Sequence, residues 1–290
     1  MSANKFSLSW IKSRELYDSL SRSNLLVSLY RKDSHFFKKI LDLGGGNGSF
    51  LRWCDSKNIA YDNFLIIDHD KSLLKNFFGV TKKYFLLKSE ELLKINAMSY
   101  QLQKKGSKKN SYITLKQQDL LKSIELINNY NIISLSAVSD LLSRNHIKEI
   151  LHKTEKGKVI YFSICFDGTV KWVNKNKYDK YIISMFNKHQ QQEKTLGFAL
   201  GSKNIETIKS ISLKKGFKTS IADSSWVLNS DTDNARNFQN SYLKTIYNPL
   251  RKYELIDQDI LKEWFQVKTK DIKMKKSSLR VGHKDILIAT

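Results

Sequence analysis

The chain has 290 residues, 41% hydrophobic and 11% aromatic, a composition that suits a globular protein and excludes a disordered one. No apolar run approaches the roughly 20 residues that span a bilayer, and Met1 to Ser9 lacks a signal-peptide core, so a cytoplasmic protein without membrane attachment is expected. The net charge of +22 raises a nucleic-acid partner, but the excess is lysine spread along a chain poor in Pro and Gly and rich in Asn, Ile and Lys. An A/T-rich coding bias produces the same composition, and nucleic acid is not the favoured partner.

In chain order, residues 9–30 place apolar side chains at Trp10, Leu16, Leu20, Leu25, Leu26 and Leu29, which predicts one or two amphipathic helices. Arg14, Asp18 and Arg22 fall four apart and share a helical face, as in a solvated ion-pair ladder. Residues 38–51 follow, where the short apolar run Ile40-Leu41-Asp42-Leu43 meets Gly44, Gly45, Gly46 and Gly48, and an apolar pattern resumes at Phe50, Leu51 and Trp53. That reads as strand, tight turn, helix.

Glycine is needed where the chain turns with positive φ and where backbone must approach a ligand closely. A strand delivering such a turn to a helix N-terminus is the nucleotide-binding opening of an open α/β sheet. The dinucleotide fingerprint would need glycine at position 49, which is Ser49, and the Walker lysine is absent; the spacing is instead Asp42-x-Gly44-x-Gly46-x-Gly48. The second strand, Asn63 to Ile67, ends on Asp68, 20 residues past Gly48, where an acid can accept hydrogen bonds from both hydroxyls of a ribose. Cys54 and Cys165 have no metal-ligand spacing and are too few for a disulfide framework, so neither a metal site nor a disulfide is expected.

Asp70 is a candidate N-cap for the helix after the second strand. Lys82 to Leu87, a helix-like stretch from Glu90 to Gln103 and the basic loop Lys104 to Asn110, read as a solvated tip, interrupt the alternation of strands and helices. A third strand at Tyr112 to Leu115 leads to Asp119 and Leu120. The fourth, Asn131 to Ser136, presents its C-terminal tip, Ser136 included, to a ligand, and Asp140 beyond it is a helix cap or a substrate contact. The fifth, Lys158 to Phe166, is followed by a turn at Asp167 into a second short strand. The polar stretch Asn187 to Ser202, bounded by Gly197 and Gly201, reads as a substrate lid. Strands then resume at Phe217 to Ala222 and Trp226 to Leu228, two helices broken near Pro249 occupy residues 231–270, and Leu279 to Ala289 is the final strand. The expected organisation is an N-terminal helical cap over 1–34 and one α/β domain over 35–290, with insertions at about 167–203 and 231–275.

The motif at Asp42 to Gly48 resembles motif I of the class I, Rossmann-like methyltransferases, which bind S-adenosylmethionine. The chain as a whole is similar to a group of bacterial stand-alone methyltransferases that open with Trp-x-x-x-Arg-x-x-x-Asp-x-x-x-Arg, here Trp10, Arg14, Asp18 and Arg22. Their further marks are Asp68-His69-Asp70, Phe186-Asn187-Lys188-His189-Gln190 and Val281-Gly282-His283-Lys284-Asp285. The resemblance implies an open, mostly parallel seven-stranded sheet with helices on both faces, S-adenosylmethionine as cofactor and S-adenosylhomocysteine as product. It implies backbone approach at Gly44, Gly46 and Gly48, Asp42 at the methionyl amino end, Asp68 on ribose, Asp119 on the adenine amino group and Leu120 on the ring. Residue 69, ordinarily apolar and packed on adenine, is His69 here.

In this class the segment before the first strand folds over the cofactor cleft, so Arg14 and Asp18 become candidates for the methyl acceptor, together with Asp167, Gln190 and His283. His189 is the foremost candidate for acceptor binding or general base, with Asp140 beside it. The leading expectation is methyl transfer to O or N of a small polar metabolite. The first alternative is an RNA methyltransferase, disfavoured because the fourth strand lacks both the Asn/Asp-Pro-Pro-Tyr/Phe motif and a Pro-Cys nucleophile. The second is a non-catalytic scaffold on the same fold.

Overall fold

The structure is a computed structural model that describes residues 8–104, 106, 109–194 and 197–290. Helices α1 (Leu8–Ser21) and α2 (Leu25–Lys32) precede β1 (Lys39–Leu43), α3 (Ser49–Ser56), β2 (Asn63–Asp68) and α4 (Lys71–Leu86). A hairpin of β3 (Glu91–Lys94) and β4 (Ser99–Gln103) leads to β5 (Ser111–Gln117), β6 (Ile132–Ser136), α5 (Arg144–Lys153) and β7 (Val159–Trp172). Then come α6 (Asp179–Gln190), the short pair β8 (Glu193–Lys194) and β9 (Gly197–Phe198), α7 (Asn204–Lys214), β10 (Lys218–Asp223) and β11 (Trp226–Leu228). Helices α8 (Asp233–Leu250) and α9 (Gln258–Lys273) precede the last strand, β12 (Leu279–Ala289).

The main sheet runs β10-β12-β7-β6-β1-β2-β5-β4-β3, with β11 also pairing β12, so ten strands stand where seven were expected. The additions are the β3–β4 hairpin at one edge and β11 near the other. Strands β7, β6, β1, β2 and β5 are mutually parallel, whereas β12 is antiparallel to β7, β10 and β11. The chain proceeds outward from β1 through β2 to β5, then returns to β6 on the other side of β1. That reversal opens a crevice between the C-terminal ends of β1 and β6, the switch point at which open α/β sheets bind ligands.

Side chains alternate between the two faces of the sheet. Leu41, Leu43, Ile133, Leu135, Ile160 and Phe162 pack with α5 and α7, while Ile40, Phe64, Ile66, Ile132 and Tyr161 pack with α2, α3 and α4. A third apolar cluster lies beyond the sheet's edge. Ser163 is the last residue of β7 to pair with β6, at Ser136, and from Ile164 to Trp172 the strand pairs only with β12. This two-stranded arm carries Phe166, Val170, Trp172, Leu279 and Val281 into a core with α6, α8, α9 and β11. The crevice therefore has a wall on one side.

Two sequence expectations are corrected. Residues 90–103 form the β3–β4 hairpin and not a helix: Leu92, Tyr100 and Leu102 are buried on strands paired Glu91 to Gln103, and Asn96 Oδ1 accepts from Met98 N at 2.9 Å to close the turn. The fifth strand does not stop at a turn after Phe166. Ile164, at φ 54°, and Gly168, at φ 85°, bend β7 in its course while its pairing with β12 shifts register and continues, so the two predicted strands are one. Of the basic loop, Lys104 ion-pairs with the buried Asp55, while Lys105, Ser107 and Lys108 lie outside the described residues, as do Thr195 and Leu196 of the expected lid. Among the described residues no helix is long and apolar enough to cross a membrane.

The glycine turn is held by its neighbours. A Cβ on Gly48, at φ 85°, would stand 2.7 Å from the Phe77 ring, whereas one on Gly79, exposed within α4, would meet nothing within 4 Å. Gly48→Ala is expected to lower the unfolding free energy by about 2 kcal/mol or more, and Gly79→Ala to raise it by up to about 1 kcal/mol. Urea unfolding of the two variants checks this; equal effects would contradict it.

Candidate functional site

The face of the sheet that packs on α3 turns polar as its strands reach the crevice. In β1, Ile40 gives way to Asp42; in β2, Ile66 to Asp68; in β6, Ile132 to Ser134 and Ser136; in β7, Tyr161 to Ser163. The register pairs Asp42 with Ser134 and Ser136 with Ser163, so these groups sit in adjacent rows. Five polar side chains on one face, at or near the C-terminal end of the parallel pairing, make a floor suited to a polar ligand.

Asp42 is fully buried, and among the described residues neither carboxylate oxygen has a hydrogen-bond partner. Burial pushes its pKa up to about 7; the neighbouring Ser134 hydroxyl and the charge of Arg22 act downward, and Asp68 upward. The glycine turn lies against it: a Cβ on Gly45 would fall 2.4 Å from Asp42 Oδ2. Gly44, Gly46 and Gly48 all have positive φ, which lets the loop fold back over the strand end. A Cβ on Gly44 would also stand 2.9 Å from Val138 and 3.9 Å from Leu120, so the segments after β5 and β6 converge on this turn.

Asp68 closes the turn from the other side. Its Oδ2 accepts from Gly46 N at 2.9 Å and its Oδ1 from Asp70 N at 2.8 Å. An ionised carboxylate has about four acceptor sites, so capacity for two further donors remains. Burial raises the Asp68 pKa, against the two backbone hydrogen bonds and His69. The His69 ring is 65% exposed, with Nδ1 3.5 Å from Asp68 Oδ1. Asp70 accepts from Ser72 N and caps α4, as its position predicted. Asp119 accepts from Leu121 N at 2.8 Å, which turns the chain after β5.

Helix α1 lies across the crevice, held at three points. Glu15 receives a two-pronged ion pair from the buried Arg52 of α3 at 2.6 and 2.8 Å; Arg52 also donates to Asn47 O of the glycine turn. Asp18, 4% exposed, accepts from Arg14 Nε at 2.9 Å and from Trp226 Nε1 at 3.0 Å. Arg22, also 4% exposed, donates to Ser136 Oγ at 2.7 Å and Ser163 Oγ at 3.3 Å and lies over the rings of Phe50 and Trp53. The predicted Arg14/Asp18/Arg22 ladder is therefore divided: the first two form a pair, and Arg22 is buried on the polar floor.

The final motif acquires a structural reason. Asp285, fully buried, accepts from Ser23 N, Ile164 N and Tyr161 Oη at 2.7, 2.8 and 2.6 Å, tying the α1–α2 junction to the bend in β7. Gly282 leaves room for Asp167, whose Oδ1 would lie 2.1 Å from a Cβ there. His283 is buried, its Nδ1 donates to Val281 O at 3.1 Å, and its ring centre is 4.6 Å from that of Trp226. Burial, helped by the charge of Arg14, lowers its pKa to about 3. It is a neutral imidazole at physiological pH, with its lone pair on Nε2.

Around His283 gather Arg14, Asp167 and Tyr242. The charges of Arg14 and Asp167 both bear on the buried Tyr242 hydroxyl, which has no hydrogen-bond partner among the described residues. Tyr242 shares the buried face of α8 with Phe238 and Ile246, an apolar spacing that hides its polar end from sequence reasoning. The remaining candidates are carried by other elements. His189, near the end of α6, stands edge-on to Tyr253 at 5.5 Å, about 200° around the helix from Asn187, whose amide donates to Gly168 O of the arm. Asp140 lies in a 3₁₀ turn, and α5 is capped by Ser143, whose Oγ accepts from His146 N, so the cap reading of Asp140 is corrected. Gln190 faces Gly201, with Oε1 buried and unpartnered among the described residues.

The folded state holds the Asp42 proton to about pH 7, against 3.8 ordinarily. The stability that this protonation contributes is complete below pH 4 and is lost as pH rises to 7. Relative to the parent, Asp42→Asn is therefore expected to gain up to about 1.4 kcal/mol of unfolding free energy per pH unit between pH 4 and 7, and no more above. Urea unfolding of both proteins across that range checks it; a pH-independent difference would contradict it.

No family model and no curated protein matches the chain. Among solved structures it is similar to the YcgJ protein of Bacillus subtilis, at 10% identity over 90% of this chain and 95% of that one, with a TM-score of 0.47. It is similar to phosphoethanolamine N-methyltransferase 2 of Haemonchus contortus, in complex with phosphomonomethylethanolamine and S-adenosylhomocysteine, at 12% identity over 99% of this chain and 59% of that one, TM-score 0.46. It is also similar to coclaurine N-methyltransferase bound to N-methylheliamine and S-adenosylhomocysteine, at 10% identity over 99% of this chain and 75% of that one, TM-score 0.40.

Proposed function

We propose that the chain is an S-adenosylmethionine-dependent methyltransferase acting on O or N of a small polar acceptor. The observation that carries this reading is Asp42: the charged form of a fully buried carboxyl beneath a glycine turn, with no hydrogen-bond partner among the described residues, is unfavourable unless a ligand supplies a cation. The residues present fit the cofactor. Asp42 matches its ammonium, the spare acceptor sites of Asp68 match two ribose hydroxyls, and Asp119, Leu120 and the exposed His69 border the space for an adenine. When bound, the cofactor supplies a sulfonium methyl group open to in-line displacement. The work left to the protein is alignment of the acceptor and exclusion of water.

For the acceptor, Arg14, Asp167, Tyr242 and His283 lie between α1, α8 and the β7–β12 arm, where a small molecule could meet an anion-binding group, a carboxylate and two neutral polar groups. His283, with a pKa of about 3, is too weak a base for general-base work near neutrality and serves as a hydrogen-bond acceptor. His189 and Gln190 stand on the rim as contacts of the proposed lid. An RNA acceptor is the second reading, favoured by the net charge of +22 alone. RNA retention that falls steeply with salt would support it.

Isothermal titration with S-adenosylhomocysteine tests the reading. The parent and His189→Ala are expected to bind, and Asp68→Ala to lose at least about 100-fold in affinity, since two hydrogen bonds to a charged acceptor disappear. A parent protein that does not bind would return the chain to the scaffold reading. An Asp68→Ala variant with unchanged affinity would place the ribose elsewhere.

A further inference from the structure

Arg22 is buried although, among the described residues, no ion pair reaches its guanidinium. Its guanidinium is 4% exposed, lies over the rings of Phe50 and Trp53, and is hydrogen-bonded by two neutral hydroxyls, those of Ser136 and Ser163. Nη1 is buried and has no hydrogen-bond partner among the described residues. Arginine stays protonated at any relevant pH, so a full positive charge with an unused donor sits at the β1–β6 switch point. Its charge bears on Asp42, yet no ion pair joins the two among the described residues. Side by side on the floor of the crevice are a cation with one unused donor and a buried carboxyl with no hydrogen-bond partner among the described residues.

Direct pairing would be the cheapest arrangement for two such charges, because each buried unpaired ion is strongly unfavourable. Separate but neighbouring opposite charges, each with an unsatisfied atom, are complementary to a zwitterion. The position of Arg22 is also imposed from outside. Asp285 fixes Ser23 N, the next residue along, and the hydroxyls of Ser136 and Ser163 hold the other edge of the guanidinium, leaving Nη1 as the free donor.

We propose that Arg22 binds the carboxylate of the cofactor's amino-acid end while Asp42 takes its ammonium, so that the site selects a complete α-amino acid attached to the nucleoside. This rests on the methyltransferase reading above. It makes Arg22 a ligand-binding residue and the α1–α2 junction a part of the cofactor site, in addition to any contact α1 has with the acceptor.

The test compares S-adenosylhomocysteine with its decarboxylated analogue, in which hydrogen replaces the carboxylate, by titration calorimetry on the full chain. The parent is expected to prefer the complete ligand by about 10- to 100-fold, the range for a charge-assisted hydrogen bond. Arg22→Gln should lose that factor for S-adenosylhomocysteine and change by less than about threefold for the analogue. Arg22→Lys keeps the charge beside Asp42 and guards against a variant that fails to fold; its preference should fall between the two, because lysine lacks the planar fork. Equal losses for both ligands would show a merely structural role and overturn the proposal, as would an undiminished preference in either variant. A parent that binds both ligands equally overturns the Arg22 assignment and leaves the methyltransferase reading standing. A parent that binds neither overturns both.

Discussion

Buried charge at the ends of buried strands is the constraint from which the rest of the structure follows. The face of the sheet that packs on α3 is apolar through its middle, then carries Asp42, Ser134, Ser136, Ser163 and Asp68 at its C-terminal edge. Such an edge could be left to solvent, but here the glycine turn and α1 close over it. Closing polar groups away from water is favourable only if they find partners, and they do so unequally. Asp68 accepts from two backbone N–H groups, Arg22 donates to two hydroxyls, and Asp42 has no hydrogen-bond partner among the described residues. The deficit is concentrated where the chain reverses direction across the sheet, the place where this architecture accommodates ligands.

The same constraint explains why α1 lies where it does. Its stretch from Leu8 to Ser21 is weakly amphipathic, and Leu16 and Leu20 are 55% and 74% exposed, so apolar burial alone does not seat it. Trp10 and Tyr17 stack on Phe238 of α8, and charged and polar contacts complete the seat: Glu15 to Arg52 on one side, Asp18 to Trp226 on the other, and Arg22 just past its end to Ser136 and Ser163. The β7–β12 arm supplies the third side, and Asp285 joins it to the α1–α2 junction. Opening motif, glycine turn and closing motif, far apart in the chain, thus enclose one space. The cores on the α3 face of the sheet and on the arm flank it.

What was legible in the sequence was local. The glycines with Asp42 and the strand ending on Asp68 carry their meaning within a few residues, because a left-handed turn and a buried strand impose short-range patterns. Residues 90–103 misled because Leu92, Leu93, Ile95, Met98, Tyr100 and Leu102 satisfy either period, and only their pairing decides for a hairpin. Arg22 looked like one rung of a surface ladder since its i,i+4 spacing with Asp18 is a local signal. Its real partners lie 114 and 141 residues away. His189 sits in a conspicuous polar stretch, yet the structure puts it near the end of α6, edge-on to Tyr253. A better signal was present and unused: serines at alternate positions of the otherwise apolar run Ile132 to Ser136, which mark a polar row on a buried face.

The most direct test of the account is a crystal structure of the protein grown with S-adenosylhomocysteine. The account predicts the nucleoside at the C-terminal ends of β1 and β6, its ribose hydroxyls on Asp68 and its ammonium within hydrogen-bond reach of Asp42. A ligand bound elsewhere, with Asp42 still buried and unpartnered, would contradict it.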